Sequence, residues 1–382
     1  MNITKRLFSV IICFGVIFQF TLFPFNIAHA TPEEMSEVII TDTADAYIEQ
    51  QRENIRDILA SCSADLNIDQ CSENIRIGDS FVVYDLEKPE QEGLYYYPIM
   101  REGSDQIIAL ISLMDTSVGW QYTIDTNWVD ELNSINYNKE DYIFYTDNGS
   151  LVAQSKKKKK MLTGKGVKDD FDNKSLETKK KIMRTKFKWI KKIDVEEKMK
   201  RAKNLPLGYT PTTTNELGYY YCNLYNGQGQ GPYGLCWAAS VATVANYLNG
   251  TAYTAKNVAD MMGKDYNAGG FPEEIATAIN NLGSRYYYTY QTQSFKTIMR
   301  HIGFRKPMVI CGWNSTAGHA VTIYGYRNLA NGQYVMIWNS ALNNNTGGVS
   351  ITTYSSSGMT FATGSNVFTW GATTLASGIS YK

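Results

Sequence analysis

Residues 236–248 form a run of thirteen residues that contains no charged side chain. The run is followed by Asn249 and Gly250, a pair that commonly ends helices because both residues tolerate a left-handed backbone. A helix that is apolar on every face has to be buried on every face. The sequence therefore predicts a helix inside a globular domain, with Cys236 in its first turn.

A turn that contains Gly231, Pro232 and Gly234 leads the chain to Cys236. At a helix N-terminus, unpaired backbone N–H groups and the helix dipole stabilise an anion, so the pKa of the thiol is expected to fall. Cys236 is thus a candidate nucleophile. Taken alone, a cysteine in an apolar helix is more often a core residue.

The sequence offers three histidines as a base for such a nucleophile, His29, His301 and His319. His29 lies in an N-terminal targeting segment, and His301 lies in a charged stretch that is expected to be a solvated face. His319 precedes a β-branched run that predicts a buried strand. The next apolar run ends at Asn339, so two antiparallel strands would place Asn339 beside His319 to hold the imidazole tautomer. By itself, Asn339 also fits a turn residue at the end of a strand.

These motifs, in this order, resemble those of a papain-like cysteine peptidase, and most of all the secreted bacterial staphopain type. Four positions match the family's catalytic residues: Gln230 the oxyanion-hole glutamine, Cys236 the nucleophile, His319 the base and Asn339 its orienting residue. A fifth match is the pair Gly269 and Gly270, which resembles the cleft segment that binds the substrate backbone.

The chain departs from the family's pattern at two places. Tyr233 and Asn267 stand where many members have the cysteines of a disulfide across the cleft. Ala341 stands where a tryptophan usually shields the histidine–asparagine hydrogen bond from water. Trp338 and Trp313 are the candidates to replace that shield.

The resemblance implies an α+β fold, with two subdomains: a helical part and an antiparallel sheet from about residues 307–370. It implies acyl transfer, in which the Cys236 thiolate attacks a peptide carbonyl while Gln230 and the Cys236 N–H stabilise the oxyanion. His319 then protonates the leaving amine. No metal or organic cofactor is implied. The expected partners are protein or peptide substrates, the chain's own propeptide as an inhibitor, and a secreted or cytosolic proteinaceous inhibitor.

Residues 1–30 have the features of a secretory signal peptide. Lys5 and Arg6 precede a long apolar run, and Ala28 and Ala30 form a small-x-small cleavage site. An uncleaved membrane anchor is the alternative. Cleavage predicts a secreted, extracellular protein with no stable membrane association after signal removal.

Charge divides the remaining chain into three blocks, although its net charge is zero. Residues 31–155 carry 25 acidic and 6 basic side chains, residues 156–203 carry 7 and 20, and residues 204–382 carry 5 and 9. Opposite charges of this size favour a chain that folds back on itself. We therefore predict an acidic α+β propeptide domain at 31–155, a basic linker or activation segment at 156–205 and a peptidase domain at 206–382.

The lysine run at 156–160 is also typical of segments that bind nucleic acid or anionic membranes. In a secreted chain an exposed basic linker is instead a target for trypsin-like proteases. We prefer the linker interpretation, with no nucleic acid as a partner. In the precursor, the stretch 187–190 is expected to lie along the active cleft.

The other cysteines leave alternatives open. Cys62 and Cys71 are close enough for a small-loop disulfide in an oxidising compartment, or they are two free thiols. Cys222 and Cys311 are expected to be unpaired core residues.

Three other functions fit parts of the pattern: a papain-fold transglutaminase or cell-wall amidase, a peptidase for double-glycine leaders, and a secreted non-catalytic binding protein. Two residues argue against the first: such enzymes usually have an aspartate or a second histidine at the position of Asn339, and Gln230 is the cleft glutamine of a peptidase. The lack of a predicted membrane domain argues against the second. The four filled catalytic positions argue against the third.

Overall fold

Two stretches of chain, residues 44–168 and 218–379, carry almost all of the described structure and are called here the N-terminal and C-terminal halves. The computed structural model describes residues 44–68, 75–86, 88, 92–117, 119–135, 142–147, 150–155, 161–163, 166–168, 218–224, 226–329, 332–356 and 358–379. The predicted signal peptide, Cys71 and the stretch 187–190 lie outside the described residues. So does most of the predicted linker.

The described residues contain six regular helices and one irregular helical turn, Leu342–Asn345, and residues 44–50 are also helical. The helices are α1 Arg52–Cys62, α2 Val129–Ser134, α3 Cys236–Asn249, α4 Ala255–Met261, α5 Pro272–Asn281 and α6 Phe295–Gly303. Among them, none is long and apolar enough to cross a membrane.

The strands of the N-terminal half are β1 Ile75–Ile77, β2 Phe81–Asp85, β3 Leu94–Arg101, β4 Ile107–Thr116, β5 Gly119–Asp125, β6 Tyr142–Asp147, β7 Ser150–Ser155, β8 Met161–Thr163 and β9 Gly166–Lys168. Those of the C-terminal half are β10 Gly218–Tyr221, β11 Tyr286–Thr289, β12 Met308–Trp313, β13 Gly318–Leu329, β14 Gly332–Asn339, β15 Gly348–Thr353, β16 Thr360–Thr363 and β17 Asn366–Ala376. The chain is thus a mixed structure of several helices and many strands.

The C-terminal half contains an antiparallel sheet centred on β13, which pairs with β10, β12 and β14. Beyond β12 lies β17, which also pairs with β11 and β16. On the other side, β14 pairs with β15. The predicted antiparallel sheet is confirmed, and its last strand runs past Trp370 to Ala376.

In the N-terminal half, β2, β3, β4 and β5 form an antiparallel meander, as the strand-rich sequence predicts. β6 pairs with β2 in parallel and with β7 in antiparallel orientation. At the other side of the meander, β5 pairs with β15, with Asp125 opposite Ser350 and Thr123 opposite Thr352. The strands of the two halves therefore form one hydrogen-bonded network.

The hydrophobic core is shared in the same way. One cluster of buried side chains joins Ile55 and Ile58 of α1 and Tyr122 of β5 to Tyr334 and Met336 of β14. Within it, the hydroxyl groups of Tyr122 and Tyr334 are 3.0 Å apart. The described part of the predicted propeptide domain is thus packed on the sheet of the C-terminal half.

A fully buried arginine also joins the halves. Arg327 of β13 has 1% of its surface exposed, and its guanidinium donates to the backbone carbonyl of Ser61 at 3.1 Å. The carboxylate of Asp65 lies 4.0 Å away. A buried guanidinium needs such partners, because leaving it unpaired would cost several kcal/mol, on the order of 3–5.

The prediction that His301 belongs to a solvated face is wrong. His301 lies on α6 with 2% of its surface exposed. Its neighbours Ile298 and Ile302 are fully buried, so the helix turns His301 toward the core despite the charged residues around it in sequence. Burial, together with the smaller effect of the positive charge of Arg300, lowers the pKa of His301 to about 4.

Candidate active site

Helix α3 begins at Cys236 and ends at Asn249, as the uncharged run predicts. Gly250 caps it in a left-handed conformation with φ 64°, and its N–H donates to the carbonyl of Asn246. The helix lies against β13, where the Ser240 hydroxyl donates to the carbonyl of Ala320 at 3.2 Å. Cys236 is consequently held beside the start of β13.

Cys236 is buried, with 4% of its surface exposed. Burial raises its pKa to about 11, whereas backbone hydrogen bonds from Ala320, Trp237 and Cys236 itself lower it. In this buried arrangement the thiol is protonated at neutral pH. The helix N-terminus thus does not lower the pKa as expected, because desolvation outweighs the backbone N–H groups.

His319 and Asn339 are brought together by the antiparallel pairing of β13 and β14. Nε2 of His319 lies 2.8 Å from Oδ1 of Asn339. The same Oδ1 accepts from the N–H of Ala341, and Nδ2 donates to Thr363 at 2.9 Å. These two bonds fix the orientation of the amide, so Nε2 must be the protonated nitrogen. The basic nitrogen of the neutral ring is therefore Nδ1.

Burial also controls the charge of His319, which is 1% exposed. Burial lowers the pKa of His319 to about 4, against the hydrogen bond to Asn339, which raises it. Imidazole and thiol are hence both neutral at pH 7 in this structure.

The rings that face His319 come from the hairpin formed by β16 and β17. Their centroids lie 6.2 Å away for Phe361 and 5.4 Å away for Phe368. Trp338, a candidate shield, instead donates to the carbonyl of Gln228 at 2.9 Å. Trp313 is buried in the cluster around α3. The apolar cover of His319 thus includes two phenylalanines that sequence reasoning missed.

Gln230 is 3% exposed and is bonded at both ends of its side chain. Its Oε1 accepts from the Ser340 hydroxyl at 3.2 Å, and its Nε2 donates to Oδ1 of Asn345 at 3.2 Å. Its backbone N–H donates to the carbonyl of Ser340 at 3.1 Å. The segment that follows Asn339 therefore holds Gln230.

The Gly269 and Gly270 segment packs on the first turn of α3. Gly270 lies against the ring of Trp237 so closely that a Cβ atom would collide with it. The indole N–H donates to the carbonyl of Ala268 at 3.0 Å. Lys264 donates to the carbonyl of Gly269 at 2.7 Å. The two glycines thus lie next to the residue that follows Cys236.

Tyr233 and Tyr266 form an aromatic contact between the loop before α3 and the loop before Gly269. Their ring centroids are 5.3 Å apart in an edge-to-face arrangement. The ammonium group of Lys256 lies 4.8 Å from the centroid of Tyr233 and 5.5 Å from that of Tyr266. A non-covalent cluster therefore joins the loop that contains Tyr233 to the loop that contains Tyr266 and Asn267.

The described cysteines are free and buried: Cys62, Cys222, Cys236 and Cys311. Cys222 and Cys311 are unpaired, as expected, and Cys62 has no disulfide. Cys311 lies opposite Ala320 in the pairing of β12 with β13, which places it near Cys236. Within the described ranges, no group of three or more histidine, cysteine or acidic side chains could hold a metal ion.

Sequence reasoning missed three polar residues that hold the site: Ser340, Asn345 and Thr363. The run Asn343-Asn344-Asn345 followed by Thr346-Gly347-Gly348 is a signal for a tight turn, because asparagine and glycine favour left-handed conformations. No local signal marks Thr363, since it reaches Asn339 only through the folding of β16.

Comparisons with known proteins agree with a peptidase fold in the C-terminal half. Residues 219–370 match the sequence model of the Peptidase_C39 like family. The matched range contains all six predicted site residues and supports a cysteine-peptidase-like fold: Gln230, Cys236, Gly269, Gly270, His319 and Asn339. No similar sequence is found among curated proteins.

Three solved structures resemble this chain, each with low sequence identity and a low TM-score. One comes from work on the mite allergens Blo t 1 and Der p 1, with 14% identity, a TM-score of 0.29, and coverage of 51% of this chain and 76% of the other. A C39-like peptidase of Bacillus anthracis has 12% identity, a TM-score of 0.24, and coverage of 36% and 98%. Procathepsin L 3 of the Tenebrio molitor larval midgut has 12% identity, a TM-score of 0.31, and coverage of 52% and 86%. Similarity at this level carries no argument about activity or substrate.

Proposed function

We propose that this chain is a secreted cysteine endopeptidase of the staphopain type, made as an inactive precursor and acting through Cys236, His319 and Asn339. One observation carries the proposal: the 2.8 Å contact between His319 Nε2 and Asn339 Oδ1, next to Ala320, whose N–H is bonded to the thiol of Cys236. A nucleophile, a base and an orienting amide are the three parts that covalent acyl transfer requires.

In the proposed reaction, Nδ1 of His319 takes the proton of the Cys236 thiol, and the thiolate attacks the substrate carbonyl carbon. The side-chain amide of Gln230 and the backbone N–H of Cys236 donate to the oxyanion. His319 returns the proton to the amine leaving group. Water then attacks the thioester with His319 as the base, which releases the acid product and restores the thiol.

The burial of the site supports a precursor that is inactive as folded. Gln230, Cys236, His319 and Asn339 are each no more than 4% exposed. The neutral thiol and imidazole are the resting forms of a closed site, whereas water entering an opened site would favour their charged forms. Cleavage in the basic segment at 156–205, outside a cell, is the proposed first step of opening.

The test is Cys236→Ala in the full chain, assayed on casein and a fluorogenic peptide. We expect hydrolysis to disappear, because alanine has no thiol to attack the substrate carbonyl. Cys222→Ala is the matched control, since this buried cysteine lies away from the site, and it should keep activity. An epoxysuccinyl inhibitor should label Cys236 alone. Proteolysis that persists in Cys236→Ala would contradict the proposal.

The N-terminus of protein purified from the culture medium tests secretion and processing. We expect a start after Ala30 for the precursor and a start between Arg201 and Thr214 for the active form. A protein retained in the cell with an intact Met1 would contradict the secreted precursor without touching the assignment of Cys236.

A further inference from the structure

Three consecutive asparagines, here called the asparagine turn (residues 343–345), have left-handed backbones. Their φ angles are 51° at Asn343, 56° at Asn344 and 65° at Asn345. Residues other than glycine visit this region singly, and asparagine does so most readily because its short side chain bonds locally. A run of three must be stabilised by its surroundings.

The N-terminal half supplies part of that stabilisation. The N–H of Asn343 donates to Oδ1 of Asn127 at 2.9 Å. The side-chain oxygen of Asn344 accepts from the Ser150 hydroxyl at 2.6 Å, and its amide nitrogen lies 3.4 Å from Glu131. The first two residues of the turn thus face the N-terminal half.

The third residue, Asn345, faces Gln230. Its Oδ1 accepts from Nε2 of Gln230 at 3.2 Å, and its carbonyl accepts from the N–H of Gly231 at 3.0 Å. The Ser340 hydroxyl donates to Oε1 of Gln230 at 3.2 Å. If the side-chain amide of Gln230 were rotated by 180°, its oxygen would lie against Oδ1 of Asn345, and two acceptors would repel each other. The two contacts therefore determine which atom of the carboxamide is the nitrogen and hold its plane.

We propose that Asn345 is a positioning residue for the oxyanion hole: by accepting one N–H of Gln230, it aims the other N–H at the substrate oxyanion. This inference rests on the proposed function. The left-handed backbone is what lets one residue bond both the side chain of Gln230 and the backbone of Gly231. Asn345 itself does not touch the reacting atoms.

The experiment compares Asn345→Gly with Asn345→Asp in the full chain. Glycine keeps the left-handed backbone but removes the acceptor, whereas aspartate keeps an acceptor. Titration with the epoxysuccinyl inhibitor, which should label Cys236 alone, counts the active sites, so differences in processing do not affect the rates. We expect kcat/KM for a fluorogenic peptide to fall about tenfold to a hundredfold in Asn345→Gly, approaching the loss of an oxyanion donor. Asn345→Asp should stay within about threefold of wild type, since its acceptor remains.

Asn344→Gly is the matched control, because its side chain contacts the N-terminal half and its backbone is equally left-handed. It should keep the kcat/KM of the titrated enzyme. If Asn345→Gly does not accumulate as folded protein, Asn345→Ser, which has no acceptor of the same reach, takes its place with the same expected loss.

A double-mutant cycle separates positioning from general stability. In a Gln230→Ala background, Asn345→Gly should lower kcat/KM by less than about twofold, because the group that it positions is gone. An equal loss in both backgrounds, or wild-type activity in Asn345→Gly, would overturn the inference. Activity that survives Cys236→Ala would instead overturn the proposed function, so the two failures are distinguishable.

Discussion

The histidine–asparagine pair is held in place by a third residue. Oδ1 of Asn339 accepts from Nε2 of His319, and Nδ2 of Asn339 donates to the hydroxyl oxygen of Thr363 at 2.9 Å. Asn339 is fully buried, so this hydroxyl is an important partner for its amide N–H. The tautomer of His319 thus depends on a residue of β16 that is far away in sequence.

Thr363→Val removes that acceptor while keeping the shape of the side chain. The buried N–H of Asn339 loses this partner, so we expect the free energy of unfolding to fall by about 1–3 kcal/mol. We also expect kcat/KM to fall, because Asn339 can turn and release the tautomer of His319. Urea denaturation and peptide hydrolysis measure the two effects. Thr369→Val, at an exposed position of β17, is the control, and equal results for both variants would contradict the role of Thr363.

At the scale of elements, the pairing of β5 with β15 joins the strands of the two halves. It places Asp125 opposite Ser350, and Asp125 is 5% exposed. Burial raises the pKa of Asp125 to about 7, against the hydrogen bond from the N–H of Asn127, which lowers it. The strand pairing between the halves therefore contains a buried carboxyl group, that of Asp125, which is neutral in mild acid.

Asp125→Asn should change how stability depends on pH. Below pH 3.8, the ordinary pKa, Asp125 is protonated in the folded and the unfolded chain alike. As the pH rises from there to about 7, only the unfolded chain ionises, so the wild type loses stability, by up to roughly 4 kcal/mol. Above about pH 7, Asp125 is ionised in both states, so the loss of stability stays constant.

The asparagine variant cannot ionise and keeps its acceptor for Asn127. It should match the wild type near pH 4 and be the more stable protein at pH 8 in urea denaturation. Asp115→Asn, at an exposed position of β4, is the control and should follow the wild type. A constant difference between Asp125→Asn and wild type at all pH values would contradict the buried, neutral carboxyl.

At the scale of the whole molecule, the halves share a core, a strand pairing and the buried Arg327. A cut in the basic segment alone leaves all of these contacts intact. If the chain is the proposed precursor, its activation therefore needs more than cleavage, because the N-terminal half remains bound by buried apolar surface, which is worth about 25 cal/mol per Å².

Limited trypsin digestion at neutral pH tests whether the N-terminal half stays bound after cleavage. We expect cleavage within 156–205, followed by elution of both pieces in one peak on size exclusion, with separation only in denaturant. In a second assay, the C-terminal piece carries an affinity tag, and the N-terminal piece should stay bound to it after cleavage. Pieces that separate in buffer directly after cleavage would contradict it.

Local patterns were sufficient to predict much of the fold. The uncharged run gave the limits of α3, and the apolar runs gave β13 and β14 with their pairing, which places Asn339 next to His319. These predictions succeed because backbone propensity, capping and strand register act over a few residues. His301 shows the limit, since its charged neighbours say nothing about which face of α6 is buried.

The sequence by itself determined two features of the candidate site. One is the helix that begins at Cys236, and the other is the order of the four candidate residues, Gln230, Cys236, His319 and Asn339. Only the tertiary structure decided that the candidate site residues are buried, that Thr363 and Asn345 bond the amides of Asn339 and Gln230, and that the halves share one core. The physical reason is that desolvation and side-chain hydrogen bonds depend on residues far apart in the chain. Burial therefore reverses the shift in the thiol pKa that the helix N-terminus alone predicts.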